Sequence, residues 1–318
     1  MEAGAKPSGI AVIITVFNKE KFLRDAIDSV LTQNLGVLKL SVILCDDGSS
    51  DSSRSICAEY AARYPSVHDI TDGEHRGVVG NFLRCLEYAL SLNVQYISQL
   101  DSDDMIADPD FLLRQTTLLD SHPEAQAACS RFFLIGEKET LADVRKISDT
   151  PQEYSYRNLK ITPKTLLTKN NTLVAGGVTY RAEYIREYLD SFASKEDATQ
   201  DLPLWLFLSL KGSFWGSDIQ SLAYRNLAES VSRSEDIETQ LKFQQESLDT
   251  RLRFIKFVGL ERLEPKARLL YQKKMLRHYA KLSPKAYAKQ LKQAIKSNPS
   301  LLLSSDLWRS LGVYLKNR

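Results

Sequence analysis

The sequence predicts an α/β fold, with a mostly parallel sheet covered by helices on both faces, followed by an all-helical C-terminal region. Strand-like and helix-like segments alternate over the first 135 residues, and acidic residues follow several of the strand-like segments. The segment after about residue 235 has helical patterning throughout. The 318 residues, 43% hydrophobic and 26% charged, are enough for one large domain with an appendage.

The N-terminal elements are predicted from hydrophobic spacing. Apolar, β-branched runs predict strands, and apolar residues at helical spacing predict the helices between them. The predicted strands are Ile10–Val16, Leu40–Cys45, His68–Thr71, Gln95–Leu100 and Ala125–Leu134. The predicted helices are Phe22–Leu31, Ser52–Tyr64, Val78–Leu92 and a segment that begins near Pro109. This alternation favours parallel strands joined by right-handed crossovers.

The second half of the chain has weaker strand signals. Residues Glu137–Lys160 are polar and unpatterned, which predicts a mobile loop, and Ala175-Gly176-Gly177 is expected to precede a short helix. A very apolar helix is predicted to open at Asp201 and to end at Lys211-Gly212. We therefore expect one domain over residues 1–234 and a basic helical region over residues 235–318.

Targeting and cysteine patterns indicate a cytoplasmic protein. No apolar segment follows MEAGAKPSG, so no secretory signal is expected, and no run approaches the roughly 18 apolar residues of a membrane span. The four cysteines form no C-x-x-C pair, and the four histidines lack metal-ligand spacing. Buried, reduced cysteines are the expected state.

The net charge of +2 is the sum of two opposite regions. Residues 241–318 contain 18 Lys and Arg against 5 Asp and Glu, so the rest of the chain is strongly acidic. Lysines recur on one face of a predicted helix, at Lys285, Lys289, Lys292 and Lys296. Apolar residues share the opposite side of that helix, at Tyr287, Leu291, Ala294 and Ile295. A second apolar face follows, at Leu307, Trp308, Leu311, Tyr314 and Leu315.

Basic residues beside an apolar, aromatic face are typical of a helix at an anionic membrane surface, which predicts a peripheral protein on the inner face of the membrane. The alternative is that the apolar faces pack on the catalytic domain or on a second subunit of a homo-oligomer. Nucleic acid is not an expected partner, because no basic platform with interleaved aromatic residues is present.

Ligands of open α/β sheets bind beyond the carboxyl ends of the strands. The segments that follow the predicted strands there are Thr15-Val16-Phe17-Asn18, Asp46-Asp47-Gly48-Ser49, Asp72-Gly73 and Asp101-Ser102-Asp103-Asp104. Carboxylate oxygens suit Mg²⁺ or Mn²⁺, and no glycine-rich phosphate loop is present. The pattern favours a metal or nucleotide site over a solvated acidic rim.

Five segments in order resemble the inverting family 2 glycosyltransferases of GT-A fold, a Rossmann-like α/β fold. The segments are AVIITVFNKEKFLRDAIDSVLTQ, SVILCDDGSSDSS, HRGVVGNFLRCLEYAL, YISQLDSDD and ATQDLPLWLFLSLKGSF. They are similar to those of bacterial members that build O-antigen and capsule sugars. The resemblance covers roughly residues 8 to 230, and the last 80 or so residues lie outside it.

The resemblance implies a donor pocket at the ends of the first two strands. Thr15 and Phe17 would line the pyrimidine and ribose pocket, and Asp47 would accept a hydrogen bond from the base N3–H. Asp101 would face the ribose. Asp103 would bind the Mn²⁺ or Mg²⁺ ion that bridges the donor diphosphate.

The resemblance also implies the residues that handle the acceptor. Asp201 would be the general base that takes the proton of the acceptor hydroxyl, with inversion at the anomeric carbon. Trp205, one helical turn later, is a candidate sugar platform, and Gly176 and Gly177 are candidates for a close approach to the acceptor.

Several of these residues have structural alternatives. Asp47 is also a good turn residue, Asp201 can cap its helix before Pro203, Gly176-Gly177 can be a plain turn, and Trp205 can be a core residue.

Three positions depart from the family pattern. Phe17 stands where Tyr is common, and Gln200 stands where Glu often precedes the base. The arginine often seen after the glycine at position 77 is missing, and Asn81 or Arg76 is the expected substitute at the diphosphate.

The predicted function is transfer of a sugar from a nucleotide-diphosphate donor, UDP-sugar favoured, to a glycan or lipid-linked acceptor in surface polysaccharide biosynthesis. One alternative is a non-catalytic module that binds a sugar nucleotide or glycan on the same fold. Another is a metal-dependent nucleotidyltransferase, which would release pyrophosphate rather than a nucleoside diphosphate.

Overall fold

The structure is a computed structural model, and it describes residues 9–147, 161–169, 173–227, 236–282, 284–297, 299, 301 and 305–316. These residues form two compact units. The first unit comprises residues 1–163 and 172–226, and the second comprises residues 164–171 and 227–318. The predicted boundary at 234/235 falls at the end of residues 228–235, which are outside the described part, and it stays a prediction.

The strands of the described part form one sheet in the first unit. In chain order they are β1 (Gly9–Val16), β2 (Lys39–Asp46), β3 (Val67–Asp69), β4 (Tyr96–Gln99), β5 (Met105–Ile106), β6 (Ala125–Ile135), β7 (Val178–Arg181) and β8 (Ser213–Arg225). Their spatial order is β3-β2-β1-β4-β7-β6-β8-β5. The strands β3, β2, β1 and β4 are parallel, as predicted, whereas β7 is antiparallel to both of its neighbours and β5 is antiparallel to β8.

The α-helices of the first unit connect these strands. They are α1 (Leu23–Leu31), α2 (Ser53–Arg63), α3 (Gly77–Ser91), α4 (Phe111–Ser121), α5 (Leu141–Ile147), α7 (Ile185–Ser191) and α8 (Asp201–Leu208), and the intervening α6 (Pro163–Thr168) lies mostly in the second unit. Nearly every residue of β1 is buried, which is expected of a central parallel strand with helices on both faces. Its alternate residues Ile10, Val12 and Ile14 belong to a core cluster that includes apolar residues of α1 and α2.

The second unit is helical in its described part, as predicted. Its longer helices are α9 (Ile237–Val258), α10 (Glu264–Leu282), α11 (Pro284–Ser297) and α12 (Ser305–Lys316). The Asp236 side chain caps α9 by accepting hydrogen bonds from the amides of Glu238 and Thr239, and Gly259 ends this helix at a φ of +68°. Helix α10 packs against α9, α11 and α12.

The apolar faces of the tail are largely used within the second unit. Tyr287 and Ala294 of α11 and Leu307 of α12 are buried in one cluster with residues of α10. They are therefore not available for a lipid surface, which corrects part of the pattern used to predict membrane contact. The four lysines of α11 are exposed, and so are Trp308 and Leu315 of α12. No helix in the described part has the length and apolarity that crossing a bilayer requires.

Three element predictions need correction. Residues 141–147 of the expected loop form helix α5, while 148–160 lie outside the described residues. Residues Ala175–Gly177 form a 3₁₀ turn that leads into strand β7 rather than directly into a helix. Helix α8 ends at Leu208, before the predicted end at Lys211-Gly212. Strands β5 and β8 were not predicted; β8 pairs with β6 through register shifts, which breaks the period of two.

Candidate active site

The carboxyl ends of β1, β2 and β4 lie side by side, which brings three polar loops to one edge of the sheet. Val16 is paired with Asp46, and Ile13 with Gln99, two residues before Asp101. Thr15, the first predicted donor residue, is partly buried at this end of β1. The parallel register therefore puts the predicted donor and metal residues at a common edge.

The loop after β1 is fastened to the loop after β2. Asn18 has a φ of +51°, its amide donates to Ser49 Oγ at 2.8 Å, and its Oδ1 accepts from the Ser50 amide at 2.8 Å. The amide of Lys19 donates to Ser53 Oγ at 2.8 Å. These bonds hold Phe17 and Lys19 at the rim.

Asp46 and Asp47 are both buried but have different partners. Asp46 Oδ1 accepts from the amides of Gly48 and Ser49 at 3.2 and 3.0 Å, so this carboxylate shapes the turn in which Gly48 has a φ of +83°. Asp47 Oδ1 accepts from the Arg76 amide at 2.7 Å. The second oxygen of Asp47, Oδ2, lies 3.0 Å from His75 Nδ1.

Sequence reasoning missed His75 as a component of this pocket. Its side chain is mostly exposed and contacts both the side chain and the carbonyl oxygen of Asp47. The centroid of its ring lies 5.5 Å from the ring centroid of the exposed Phe17. The exposed Phe17 ring thus lies beside the imidazole that contacts the Asp47 carboxylate, an arrangement suited to a planar base with an N–H donor. The only sequence signal was the position of His75 just before Arg76-Gly77.

The carboxylates after β4 form an electrostatically coupled group with a lysine. Lys19 Nζ lies 2.9 Å from Asp103 Oδ2, and each side chain is 22% exposed. Burial, with Asp103 and Asp201 nearby, raises the pKa of Asp101 to about 7, against the opposing effects of Lys19 and Gln200. The Gln200 amide donates to Asp101 Oδ1 at 3.4 Å. A glutamate at position 200 would add another negative charge beside Asp101.

Asp104 and Arg225 hold the backbone next to these carboxylates. Asp104 is buried, its Oδ1 accepts from the Arg225 amide at 2.7 Å, and burial raises its pKa well above the usual range. The Arg225 guanidinium donates to the carbonyl of Asp103 at 2.9 Å and to the carbonyls of Gly136 and Glu137. Arg225, the last residue of β8, therefore fixes the backbone that carries Asp103.

Asp201 is the first residue of α8 and is partly exposed. Its Oδ1 accepts from the Leu202 amide at 2.8 Å, so the side chain contacts the first turn of the helix. It also acts electrostatically on Asp101, which is 100 residues earlier in the chain. Asp201 therefore both contacts the first turn of α8 and lies near the carboxylates that follow β4.

Two predicted diphosphate residues are held by other partners. Asn81 is buried, its amide nitrogen donates to the Cys45 carbonyl at 2.7 Å, and its oxygen accepts from Cys45 Sγ at 2.7 Å. The Arg76 guanidinium is bonded to Asp72 and Glu74. Direct donor contact by either side chain would require these bonds to break.

The three predicted acceptor residues are all buried. Trp205 is fully buried and makes edge contacts with the rings of Tyr180 and Phe214, so it is a core residue and has no face for a sugar. Gly176 and Gly177 are also buried. A Cβ on Gly176 would lie 3.0 Å from a Leu222 methyl group, and one on Gly177 would lie 3.1 Å from the Ser130 carbonyl oxygen. Close packing accounts for both glycines.

By residue type, the carboxylates of Asp101, Asp103 and Asp104 suit a hard divalent cation. All three side chains present carboxylate oxygens as ligand atoms. Asp103 already binds one positive group, the ammonium of Lys19. Within the described residues, Asp104 Oδ2 is buried without a hydrogen-bond partner. The same described residues contain no group of three or more side chains in ligating geometry.

Sequence comparison identifies the family of the chain. The model of "Glycosyl transferase family 2" matches residues 11–189. "Uncharacterized protein Rv1520" of Mycobacterium tuberculosis is 30% identical over 175 residues, which are 55% of this chain and 47% of that protein. "Putative glycosyltransferase EpsE" of Bacillus subtilis is 27% identical over 232 residues, 71% of this chain and 74% of that protein. The chain thus spans about half the length of the mycobacterial relative.

Solved structures support the fold. Staphylococcus aureus TarS 1-349 in complex with UDP-GlcNAc superimposes with a TM-score of 0.57 at 14% identity, over 92% of this chain and 91% of that one. The mannosyltransferase PcManGT from Pyrobaculum calidifontis, in complex with GDP-Man and Mn²⁺, gives 0.55 at 14% identity, over 99% and 88%. The fold is therefore that of GT-A glycosyltransferases, and the chain belongs to glycosyl transferase family 2.

Proposed function

We propose that the protein is an inverting glycosyltransferase that moves a sugar from a UDP-sugar to a hydroxyl of a glycan or lipid-linked acceptor. The observation that carries the proposal is the meeting of three groups at one sheet edge. These are the Asp47–His75–Phe17 pocket, the carboxylates after β4, and Asp201 at the start of α8. The family match and the UDP-GlcNAc bound by TarS support a nucleotide-sugar donor.

In the proposed reaction the base ring lies against Phe17 and His75, and its N3–H donates to Asp47. Asp201 takes the proton of the acceptor hydroxyl while the acceptor oxygen bonds to the anomeric carbon. The bond between that carbon and the diphosphate oxygen breaks, and the diphosphate leaves with the electron pair. A single displacement on the face opposite the leaving group inverts the anomeric configuration.

The leaving diphosphate needs positive charge at an otherwise acidic edge. Asp103, with Asp101 beside it, would hold Mn²⁺ or Mg²⁺, which neutralises charge on a leaving diphosphate. The Mn²⁺ in the complex of PcManGT supports this choice. Arg225 would keep Asp103 in place through the bond to its carbonyl oxygen.

A relative and the tail support the proposed acceptor class. "Minor teichoic acid biosynthesis protein GgaB" of Bacillus subtilis, which is 35% identical over 101 residues, 32% of this chain and 11% of that protein, supports a surface polysaccharide, of which O-antigen and capsule are examples. The exposed lysines of α11 and the exposed Trp308 support a peripheral position at an anionic membrane, where a lipid-linked acceptor would be held.

The test is a screen of nucleotide sugars for thermal stabilisation of the protein, with Mn²⁺ or with EDTA, followed by product analysis. A ligand that binds the folded state raises the melting midpoint. We expect stabilisation by a UDP-sugar in Mn²⁺, loss of that stabilisation in Asp103→Asn, and release of UDP. Release of pyrophosphate would indicate a nucleotidyltransferase instead, and binding without transfer to any glycan would indicate a binding module.

A further inference from the structure

The ion pair between Lys19 and Asp103 occupies the position that the proposed reaction assigns to a divalent cation. Lys19 Nζ lies 2.9 Å from Asp103 Oδ2. The backbone of Lys19 is fixed by the bond from its amide to Ser53 Oγ, so an exchange of partners would move the flexible four-carbon side chain rather than the loop. Both partners are largely buried, which limits screening by solvent and strengthens the pair relative to a surface ion pair.

An ammonium group and a divalent cation repel each other, so they do not share one carboxylate oxygen at low cost. Binding of the cation to Asp103 Oδ2 therefore requires Lys19 to leave that oxygen. The donor diphosphate would bring new negative charge to the same place, and lysine binds phosphate oxygens as a mobile point charge.

We infer that Lys19 is an exchangeable counter-ion of the active site. It neutralises Asp103 in the free protein, yields this carboxylate to the divalent cation, and then bonds the donor diphosphate. The inference rests on the proposed function for its donor step, while the competition at Asp103 concerns the free protein alone.

The inference predicts opposite effects of one substitution on two ligands. Removing the ammonium group frees Asp103, so the cation should bind the free protein more tightly. The same change removes a partner of the diphosphate, so UDP should bind the cation-loaded protein more weakly. A lysine that merely stabilised the loop would weaken both or neither. Coupling between cation and UDP must be reciprocal, so each titration checks the other.

The experiment is calorimetric titration of Mn²⁺ into the full chain without nucleotide, and of UDP in saturating Mn²⁺. In Lys19→Met we expect Mn²⁺ affinity to rise about 3- to 10-fold, as for loss of a competing ion pair, and UDP affinity to fall about 10- to 100-fold, as for loss of a charged hydrogen bond. Lys19→Arg should restore much of the UDP affinity. Lys21→Met is the matched control, because Lys21 is 72% exposed, lies 3.6 Å from Glu137 and should have no effect on either titration.

The inference is overturned if Lys19→Met binds Mn²⁺ with wild-type affinity, or if the wild type binds UDP and Lys19→Met binds it equally well. It is also overturned if Lys21→Met behaves like Lys19→Met, or if the wild type binds no Mn²⁺. Failure of the proposed function gives a different result. The wild type would then bind Mn²⁺ but no nucleotide, and the tighter Mn²⁺ binding of Lys19→Met would still support competition at Asp103.

Discussion

The adjacent residues Asp46 and Asp47 show how neighbouring side chains acquire different roles. Both lie at the end of β2, and both are buried. The Asp46 side chain accepts hydrogen bonds from the amides of its own turn, whereas the Asp47 side chain contacts Arg76 and His75 of another loop. The partner supplied by the fold, rather than the residue type, separates the structural aspartate from the candidate ligand.

Asp47→Asn should change which base the protein prefers. Uracil presents a donor at N3 and cytosine presents an acceptor, and the asparagine amide can donate where the carboxylate cannot. We expect UDP affinity to fall about 10-fold or more and the preference for UDP over CDP to disappear, as measured by competition binding. Asp46→Asn should lower the melting midpoint without changing this preference. If Asp47→Asn kept the wild-type preference, the base would have to bind elsewhere.

Asp201→Asn should separate catalysis from binding. The substitution keeps the acceptor of the Leu202 amide hydrogen bond but removes the base, so turnover should fall by a factor of roughly 10²–10⁴ with donor affinity nearly unchanged. The measurement is UDP release alongside UDP binding. Asp190→Asn is the matched control, because Asp190 is an exposed acid on α7. Near-normal turnover of Asp201→Asn would leave Asp201 as a helix residue only.

At the scale of elements, α9 and α10 enclose positive charge. Lys274 and Arg251 line one recess together with Ser247 and Tyr271. The Arg251 guanidinium donates to Ser247 and to the Leu166 carbonyl. Burial, with Arg251 and Arg277 nearby, lowers the pKa of Lys274 from 10.5 to about 8. The packing of these two helices therefore carries a cost that depends on pH.

The sign of that dependence is fixed by the direction of the shift. Below pH 8 Lys274 is charged in both the folded and the unfolded state, and its burial lowers stability in full. Between about pH 8 and pH 10.5 the folded protein releases the proton first, so the contribution of Lys274 to stability becomes more favourable as pH rises. Lys274→Met should raise the free energy of unfolding at pH 7 by about 1–3 kcal/mol and remove this rise. Urea denaturation at several pH values, with Lys273→Met as the control, measures both effects; an unchanged pH profile would contradict the prediction.

At the scale of the whole molecule, the charge is divided between an acidic N-terminal region and a basic tail. Replacing Lys285, Lys289, Lys292 and Lys296 with Gln should weaken binding to anionic vesicles at low salt by at least about 10-fold, because each lysine near the surface contributes about 1 kcal/mol. Co-sedimentation with phosphatidylserine vesicles measures this. The control replaces four exposed lysines of the first unit, Lys21, Lys39, Lys138 and Lys195. Equal binding by both variants, or no binding by the wild type, would exclude the tail as an anchor.

The sequence alone determined the local elements of the N-terminal sheet and the order of the acidic motifs. Apolar periodicity reports which face of an element is buried, and strands β1 to β4 and helices α1 to α4 follow it closely. Parallel pairing then places each strand-end aspartate at one edge, so the position of Asp47, Asp101 and Asp103 at that edge could be predicted without coordinates, while their roles stay predictions.

Only the tertiary structure decided the contacts between distant segments. Antiparallel β7 lies between β4 and β6, although the paired residues are about 50 to 90 positions apart in the chain. The bond from Gln200 to Asp101 and the ion pair of Lys19 with Asp103 likewise join residues about 80 to 100 positions apart. The burial of Trp205 was also decided there, because an apolar helix looks alike in sequence whether an aromatic residue faces the core or a cleft. Periodicity encodes burial of a face, but the identity of the neighbour depends on which elements the whole sheet brings together.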